Sequence, residues 1–274
     1  DKAIFETARL AALNDQQRAA VEAVTGPVLL LAACDMLGGD ISQARVPAAA
    51  LEMIHTYSLI HDDLPGMDND DYRRGRLTNH KVFGEGFAIL AGDGLLNYAY
   101  ECILKNALDY GANLEGHILA AREIAQRAGV GGMVAGQSID LLSEHREPNE
   151  ATLHYIHMHK TADLLTAPLL AAAYIAGADE KSIAALRTFG ACVGLAFQID
   201  DDLLDVMGDA KDLGKQTGMD EQRGKMTWPS LVGVEAAQKK SRELWTQAEE
   251  ALAVFGDSAW FLREFAEALA KRKK

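Results

Sequence analysis

The chain is short of cysteine, proline, aromatic residues and positive charge, and each shortage removes a class of protein. Three cysteines, Cys34, Cys102 and Cys192, are odd in number and widely spaced, which suits neither a disulfide framework nor a zinc site and points to a reducing, cytoplasmic setting. Only 27 Lys and Arg stand against 40 Asp and Glu, a formal charge of -13, so a general nucleic-acid binder, which needs a basic surface, is excluded. An anionic ligand would need a local cationic pocket or metal ions. No run of 18 uncharged apolar residues occurs and no positively charged leader precedes an apolar stretch, so a soluble protein without a membrane span is expected. Proline appears six times in 274 residues. No stretch of β-branched or aromatic residues alternates with the period of a strand.

What remains is helix. Apolar positions recur every three or four residues over 3–24, 28–37, 47–64, 86–106, 113–128, 130–143, 149–176, 179–207, 227–253 and 258–272. Pro47 is expected to open the third of these, and Gly38-Gly39 to close the second. No linker or repeat divides residues 1–274, so the fold class is all-α: a single bundle of about ten or more helices around a central substrate cavity. The helices 149–176 and 179–207 are apolar around most of their circumference and belong at the centre.

Two acidic clusters interrupt this pattern. The segment PAAALEMIHTYSLIHDDL meets Pro65-Gly66, so an apolar helix delivers Asp62 and Asp63 where its backbone must stop, and Asp68 follows from the loop. Carboxylates at the negative end of a helix call for a compensating cation. The spacing DDLPGMD can bring Asp62 and Asp68 around one hard ion such as Mg²⁺, with Arg73 and Arg74 just beyond to grip phosphate oxygens. Without such an ion the segment reads as an acidic, solvated loop. The second cluster, GLAFQIDDDLLD, places Gln198, Asp201 or Asp202, and Asp205 on one face, Asp201 and Asp205 one turn apart. Its flanking residues are core-like and like charges at that spacing repel, a cost that a bridging metal offsets. Lys211, Lys215 and Lys225 follow in a Gly-rich stretch suited to a lid over an anion. Two such walls can hold Mg²⁺ ions and a diphosphate between them.

The chain resembles the trans-isoprenyl diphosphate synthases, in particular the bacterial farnesyl diphosphate synthase group, through HTYSLIHDDLPGMDNDDYRRG, NHKVFGE, LAGDGLL, GMVAGQSIDL, HMHKT, FQIDDDLLD, LGK and GKMTWP. The resemblance runs from about Pro27 to the C-terminus. It implies that Asp62, Asp63, Asp68, Asp201 and Asp205 hold magnesium, three ions with substrate bound, with Asp202 beside them. It also implies that Arg73, Lys160, Gln198 and Lys215 contact the allylic diphosphate or its metals, and that His55 and Arg74 belong to the isopentenyl diphosphate site. The Lys160 carbonyl and the Thr161 hydroxyl are implied to face an allylic carbocation, formed in a dry apolar cavity.

An aromatic residue at Tyr57, five positions before Asp62, together with the two-residue insertion in the first motif, implies a farnesyl product, with Ser58 and Ile54 sharing the control. Tyr57 also reads as an ordinary core tyrosine. The resemblance further implies a homodimer. One departure stands out: where the family's Gly-Gly-Lys segment with two arginines leads into its proline, this chain reads AVTGPVLLL. Either half of the isopentenyl diphosphate subsite is lacking or residues around Thr25 and Gly26 are absent from this sequence, and the second is expected because every other motif is intact. A geranylgeranyl or geranyl diphosphate synthase, a class I terpene cyclase and a non-catalytic synthase subunit are the competing readings. His154, His157 and His159 do not share a face and read as surface or hydrogen-bonded histidines, and the glycines at 129, 131, 132 and 136 as places of close helix packing or a kink.

Overall fold

The computed structural model describes residues 25–147, 149–207 and 225–271. The expected helix 3–24 and the lid lysines Lys211 and Lys215 lie outside them. Among the described residues the regular structure is helix except for one short hairpin. In order come α1 (Thr25–Met36), α2 (Ile41–Asp62), β1 (Tyr72–Arg73), β2 (Arg76–Leu77), α3 (Asn79–Phe83), α4 (Glu85–Asp109), α5 (Leu114–Ala128), α6 (Met133–Ser143) and α7 (Glu150–Ile156). A π-helical segment (His157–Ala162) leads into α8 (Asp163–Ala176), and then come α9 (Glu180–Met207), α10 (Trp228–Val232), α11 (Val234–Ala251) and α12 (Trp260–Ala270).

The centre is α8 against α9, as their apolarity predicts. Ten of the fourteen residues of α8 are buried. The two helices approach closely because α9 offers glycines one turn apart: a Cβ on Gly190 would lie 2.6 Å from Thr166 Oγ1, and one on Gly194 2.3 Å from Ala162 Cα. Around this pair, α5 and α1 pack on α8, α11 on α9, and α2 on α4. By length and composition α9 could cross a membrane, but it is the core helix here, with 56% of its apolar window buried inside the protein.

Three expectations about the chain's local structure need correction. Pro47 does not open a helix; α2 begins at Ile41, where Asp40 Oδ1 accepts from the Ser42 amide at 2.9 Å. A proline inside a helix orphans the carbonyl four residues earlier, and here Asn106 Nδ2 donates to that group, Gln43 O, at 3.0 Å. The helix tolerates Pro47 because a neighbouring side chain replaces the lost donor. The expected helix 227–253 is broken by Gly233 at φ 84°, with a Thr227/Ser230 capping box starting the first piece. Finally, the antiparallel β1–β2 pair was not foreseen. Its two-residue turn needs positive φ at both positions, met by Arg74 (φ 52°) and Gly75 (φ 74°).

Candidate active site

The first acidic cluster is assembled by backbone bonds. After α2 stops, the loop folds back so that the Asp68 amide donates to the Asp62 carbonyl at 2.9 Å and the Asn69 amide to Leu64 O at 3.1 Å. The spacing DDLPGMD therefore brings Asp62 and Asp68 together. Asn69 takes φ 52°, a conformation asparagine accepts more readily than most side chains.

Asp63 points elsewhere. Its carboxylate is buried and accepts from Arg73 Nε at 2.9 and 3.0 Å and from Arg73 Nη2 at 2.7 Å. The structure thus places Asp63, expected among the metal ligands, in a two-point pair with an arginine.

Each remaining member of the first cluster meets a polar partner. Asp62 Oδ1 accepts from Gln137 Nε2 at 2.6 Å, and Asp68 Oδ1 lies 3.3 Å from Lys225 Nζ. Lys160 Nζ donates to Asp140 Oδ2 at 2.6 Å. Burial raises the pKa of Asp62, the positive charges of Lys160, Lys225 and Arg73 pull it back, Asp68 pushes it further up, and the net shift is upward. Burial pulls the Lys160 ammonium down, but Asp140, Asp62 and Asp68 together outweigh it and its pKa is raised. Lys160 is a charged group held among three carboxylates.

The second cluster is joined to the first through the π segment. Lys160 faces the first cluster, and the next residue, Thr161, donates from Oγ1 to Gln198 Oε1 at 2.9 Å. π-Helical turns inside α-helices are frequent at functional sites. Beyond Gln198 the three consecutive acids of α9 diverge around the helix. Asp200 accepts from Ser241 Oγ at 2.5 Å and Trp245 Nε1 at 2.9 Å, tying α9 to α11. Asp202 is buried and accepts from the Trp228 amide at 2.9 Å and from Gln198 Nε2 at 3.3 Å. Asp201 and Asp205, one turn apart on α9, are half-buried.

His157 completes this anchor. The indole N–H of Trp228 donates to His157 Nδ1 at 3.0 Å. Indole nitrogen only donates, so the imidazole keeps a lone pair on Nδ1 and its proton on Nε2, 3.7 Å from Asp202. Burial, with His154 and Lys160 nearby, pushes its pKa down to about 3. His159 Nδ1 lies 2.7 Å from Asp163 Oδ2, so two of the three histidines are hydrogen-bonded, as their spacing suggested.

Elsewhere on α2, burial and the charges of Arg74 and Arg73 lower the pKa of His55. Tyr57 is 7% exposed, its ring edge-on to His61 with centroids 5.6 Å apart. The Ser58 hydroxyl turns back to His55 O at 2.8 Å, and Ile54 is fully buried. Gln137 and Asp140 were missed as site residues. Their signal was present in GQSID, two polar residues three apart on a largely apolar helix.

Asp62 with Asp68, and Asp201 with Asp205, are the groups that could hold metal. Their donors are all carboxylate oxygens, the chemistry magnesium prefers. Among the described residues no three His, Cys, Asp or Glu side chains close into a cage; magnesium commonly takes one or two carboxylates, keeps waters and draws on substrate phosphates.

Comparison with known proteins shows the chain's relatives. A putative geranylgeranyl pyrophosphate synthase of Arabidopsis thaliana, named as chloroplastic, is 47% identical over 232 residues, 84% of this chain and 64% of that protein. The chain thus spans slightly less than two thirds of that relative's length. The crystal structure of an FPP/GFPP synthase from Zymomonas mobilis superposes with a TM-score of 0.79 at 34% identity, covering 95% of this chain and 92% of that one. A Helicobacter pylori geranyltransferase complexed with magnesium and isoprenyl diphosphate does so with a TM-score of 0.77 at 32% identity, covering 94% and 88%. The sequence model of polyprenyl synthetases matches residues 25–254, a span that takes in both acidic clusters and the π segment between them, and the chain belongs to the polyprenyl synthetase family.

Proposed function

We propose that the protein is a magnesium-dependent trans-prenyltransferase that joins isopentenyl diphosphate to dimethylallyl and then geranyl diphosphate, and stops at farnesyl diphosphate. The observation that carries this reading is the π segment, which sets Lys160 against the first acidic cluster while Thr161 bonds Gln198 beside the second. Magnesium held by Asp62, Asp68, Asp201 and Asp205, three ions with substrate bound, supplies the charge neutralisation that makes pyrophosphate a leaving group.

The chain's own residues do the rest. Lys160, Arg73 and Lys225 are the cations that grip the allylic diphosphate, and Asp63 aims Arg73 at it in place of holding metal. Lys215, outside the described residues, takes the same task from the family resemblance. The allylic C–O bond breaks and its electron pair leaves with pyrophosphate. The Lys160 carbonyl and the Thr161 oxygen offer partial negative charge to the allylic cation, and Gln198, bonded to Thr161, serves the diphosphate or its metals, as the family resemblance implies. The π pair of isopentenyl diphosphate, held at His55 and Arg74, attacks that cation and forms the new C–C bond, which leaves the positive charge on the other carbon of the former double bond. An adjacent C–H then gives its proton to the departing pyrophosphate, and its electron pair becomes the new C=C bond. Leu195, Ile199 and Leu203, buried along α9, help keep water from quenching the cation.

Tyr57 is the proposed floor of the chain-binding space, with Ile54 and Ser58 beside it. A geranylgeranyl product is the second reading, favoured by the name of the Arabidopsis relative. A homodimer is supported by an exposed apolar face, Phe83, Phe87, Leu90, Tyr98, Leu104 and Leu108, along α3 and α4. The cytoplasm remains the proposed compartment, supported by the free thiols of Cys34, Cys102 and Cys192.

Incubation with Mg²⁺, isopentenyl diphosphate and dimethylallyl diphosphate tests the reading. Farnesyl diphosphate and pyrophosphate are expected, and Asp62→Asn is expected to lose at least about a hundredfold in kcat. No coupling with any allylic diphosphate would contradict it.

A further inference from the structure

Two side chains of α6 touch the two opposite charges of the site. Gln137 Nε2 donates to Asp62 Oδ1 at 2.6 Å. Three residues on, Asp140 Oδ2 accepts from Lys160 Nζ, also at 2.6 Å. Residues three apart share a helix face, so α6 presents a donor to the carboxylate and an acceptor to the ammonium. The helix can come this near because Gly136 precedes the pair: a Cβ there would lie 2.2 Å from the Lys160 backbone nitrogen.

The arrangement answers a problem that the site creates for itself. Asp62 and Lys160 attract one another in partly desolvated surroundings, where such attraction is strong. Were they to close into a direct ion pair, Asp62 would be masked from a divalent cation and Lys160 from a phosphate oxygen. Asp140 gives the ammonium a different carboxylate, and Gln137 gives Asp62 a neutral donor that a metal can displace. We propose that Gln137 and Asp140 are positioning residues that keep Asp62 and Lys160 apart, so that the metal-binding and phosphate-binding poles stay separately available. The inference rests on the prenyltransferase reading for its meaning in catalysis.

The test uses the whole chain and inorganic pyrophosphate as probe, with binding followed by calorimetry as Mg²⁺ is varied. Asp140→Asn, which lets Lys160 turn to Asp62, is expected to raise the Mg²⁺ concentration for half-maximal binding about tenfold, the scale at which outer partners of metal sites act. Asp140→Glu is expected to return it toward the wild-type value, and Gln137→Leu to shift it in the same direction as Asp140→Asn. In a Lys160→Met background Asp140→Asn is expected to have no further effect, since Asp140 then has nothing to hold.

A merely structural role would lower the melting temperature and leave the Mg²⁺ midpoint in place, and that result would overturn the proposal. So would a shift of equal size with and without Lys160, or an unchanged midpoint in a folded Gln137→Leu. Turnover of the five-carbon diphosphates is measured on the same preparations. Turnover without the midpoint shift sinks the positioning role alone; the shift without turnover sinks the proposed function alone. Absence of Mg²⁺-dependent pyrophosphate binding by the wild-type chain overturns both.

Discussion

Replacing Tyr57 by alanine tests where the product stops growing. Tyr57 and Asp62 lie on one continuous helix, five residues apart, or about 7.5 Å at 1.5 Å per residue. The proposed course of a hydrocarbon tail, back along α2 from its diphosphate, ends at this ring. The ring is 7% exposed and edge-on to His61 at 5.6 Å. Its removal costs about 3–5 kcal/mol as a large-to-small core change, and the aromatic contact accounts for about 1 kcal/mol. Domains are typically stable by about 5–15 kcal/mol, so the variant is expected to fold, with a lowered melting temperature. The assay is chromatographic analysis of product length with Mg²⁺, isopentenyl diphosphate and dimethylallyl diphosphate. Wild-type protein is expected to end at C15 and Tyr57→Ala to extend to C20 or longer. The rate of the first condensation should change less than about tenfold, since the ring does not face the five-carbon end. A wild-type enzyme making only C20, or a folded Tyr57→Ala that still ends at C15, would refute the reasoning.

Two other consequences concern the scaffold. Asn106→Ala strips the donor from Gln43 O beneath Pro47 and should cost about 1–3 kcal/mol for the buried carbonyl left without a partner; restoring the helical bond by adding Pro47→Ala should recover much of it in denaturant unfolding, and no recovery would show that Asn106 acts elsewhere. His157, neutral with one proton on Nε2, takes up a second ring proton only near pH 3 in the folded chain, against about 6.5 when unfolded. Below about pH 6.5 the unfolded chain binds the extra proton, so stability falls as pH drops, by at most about 1.4 kcal/mol per pH unit. His157→Gln removes this slope, and equal slopes for the two proteins between pH 6 and 5 would contradict the assignment.

Much of this was legible in the residues, for definite reasons. The expected helices 86–106, 113–128 and 179–207, found as α4, α5 and α9 with ends shifted by no more than three residues, follow from apolar periodicity, and the two acidic clusters stand out because carboxylates at the end of apolar helices are costly unless matched. The interior Pro47 was read as a helix start because its remedy, Asn106, lies 59 residues away in the chain. The β1–β2 turn was missed because Arg74 adopts a backbone conformation that arginine rarely takes. Helix geometry set Asp201 or Asp202 with Asp205 on one face of α9, but that Asp200 and Asp202 serve Trp245 and Trp228 depends on partners 26 or more residues further along the chain. The roles of Gln137 and Asp140 depend on contacts with Asp62 and Lys160 that only the folded chain brings about.

The central claim is that two acidic walls grip metal and diphosphate between them. The most direct measurement is a crystal structure of the protein soaked with Mg²⁺ and an unreactive allylic diphosphate analogue. Magnesium is expected on Asp62 and Asp68 and on Asp201 and Asp205, with the diphosphate between them and within reach of Lys160. Diphosphate bound elsewhere, or the two pairs of carboxylates turned to opposite exteriors with no ion between, would contradict the account.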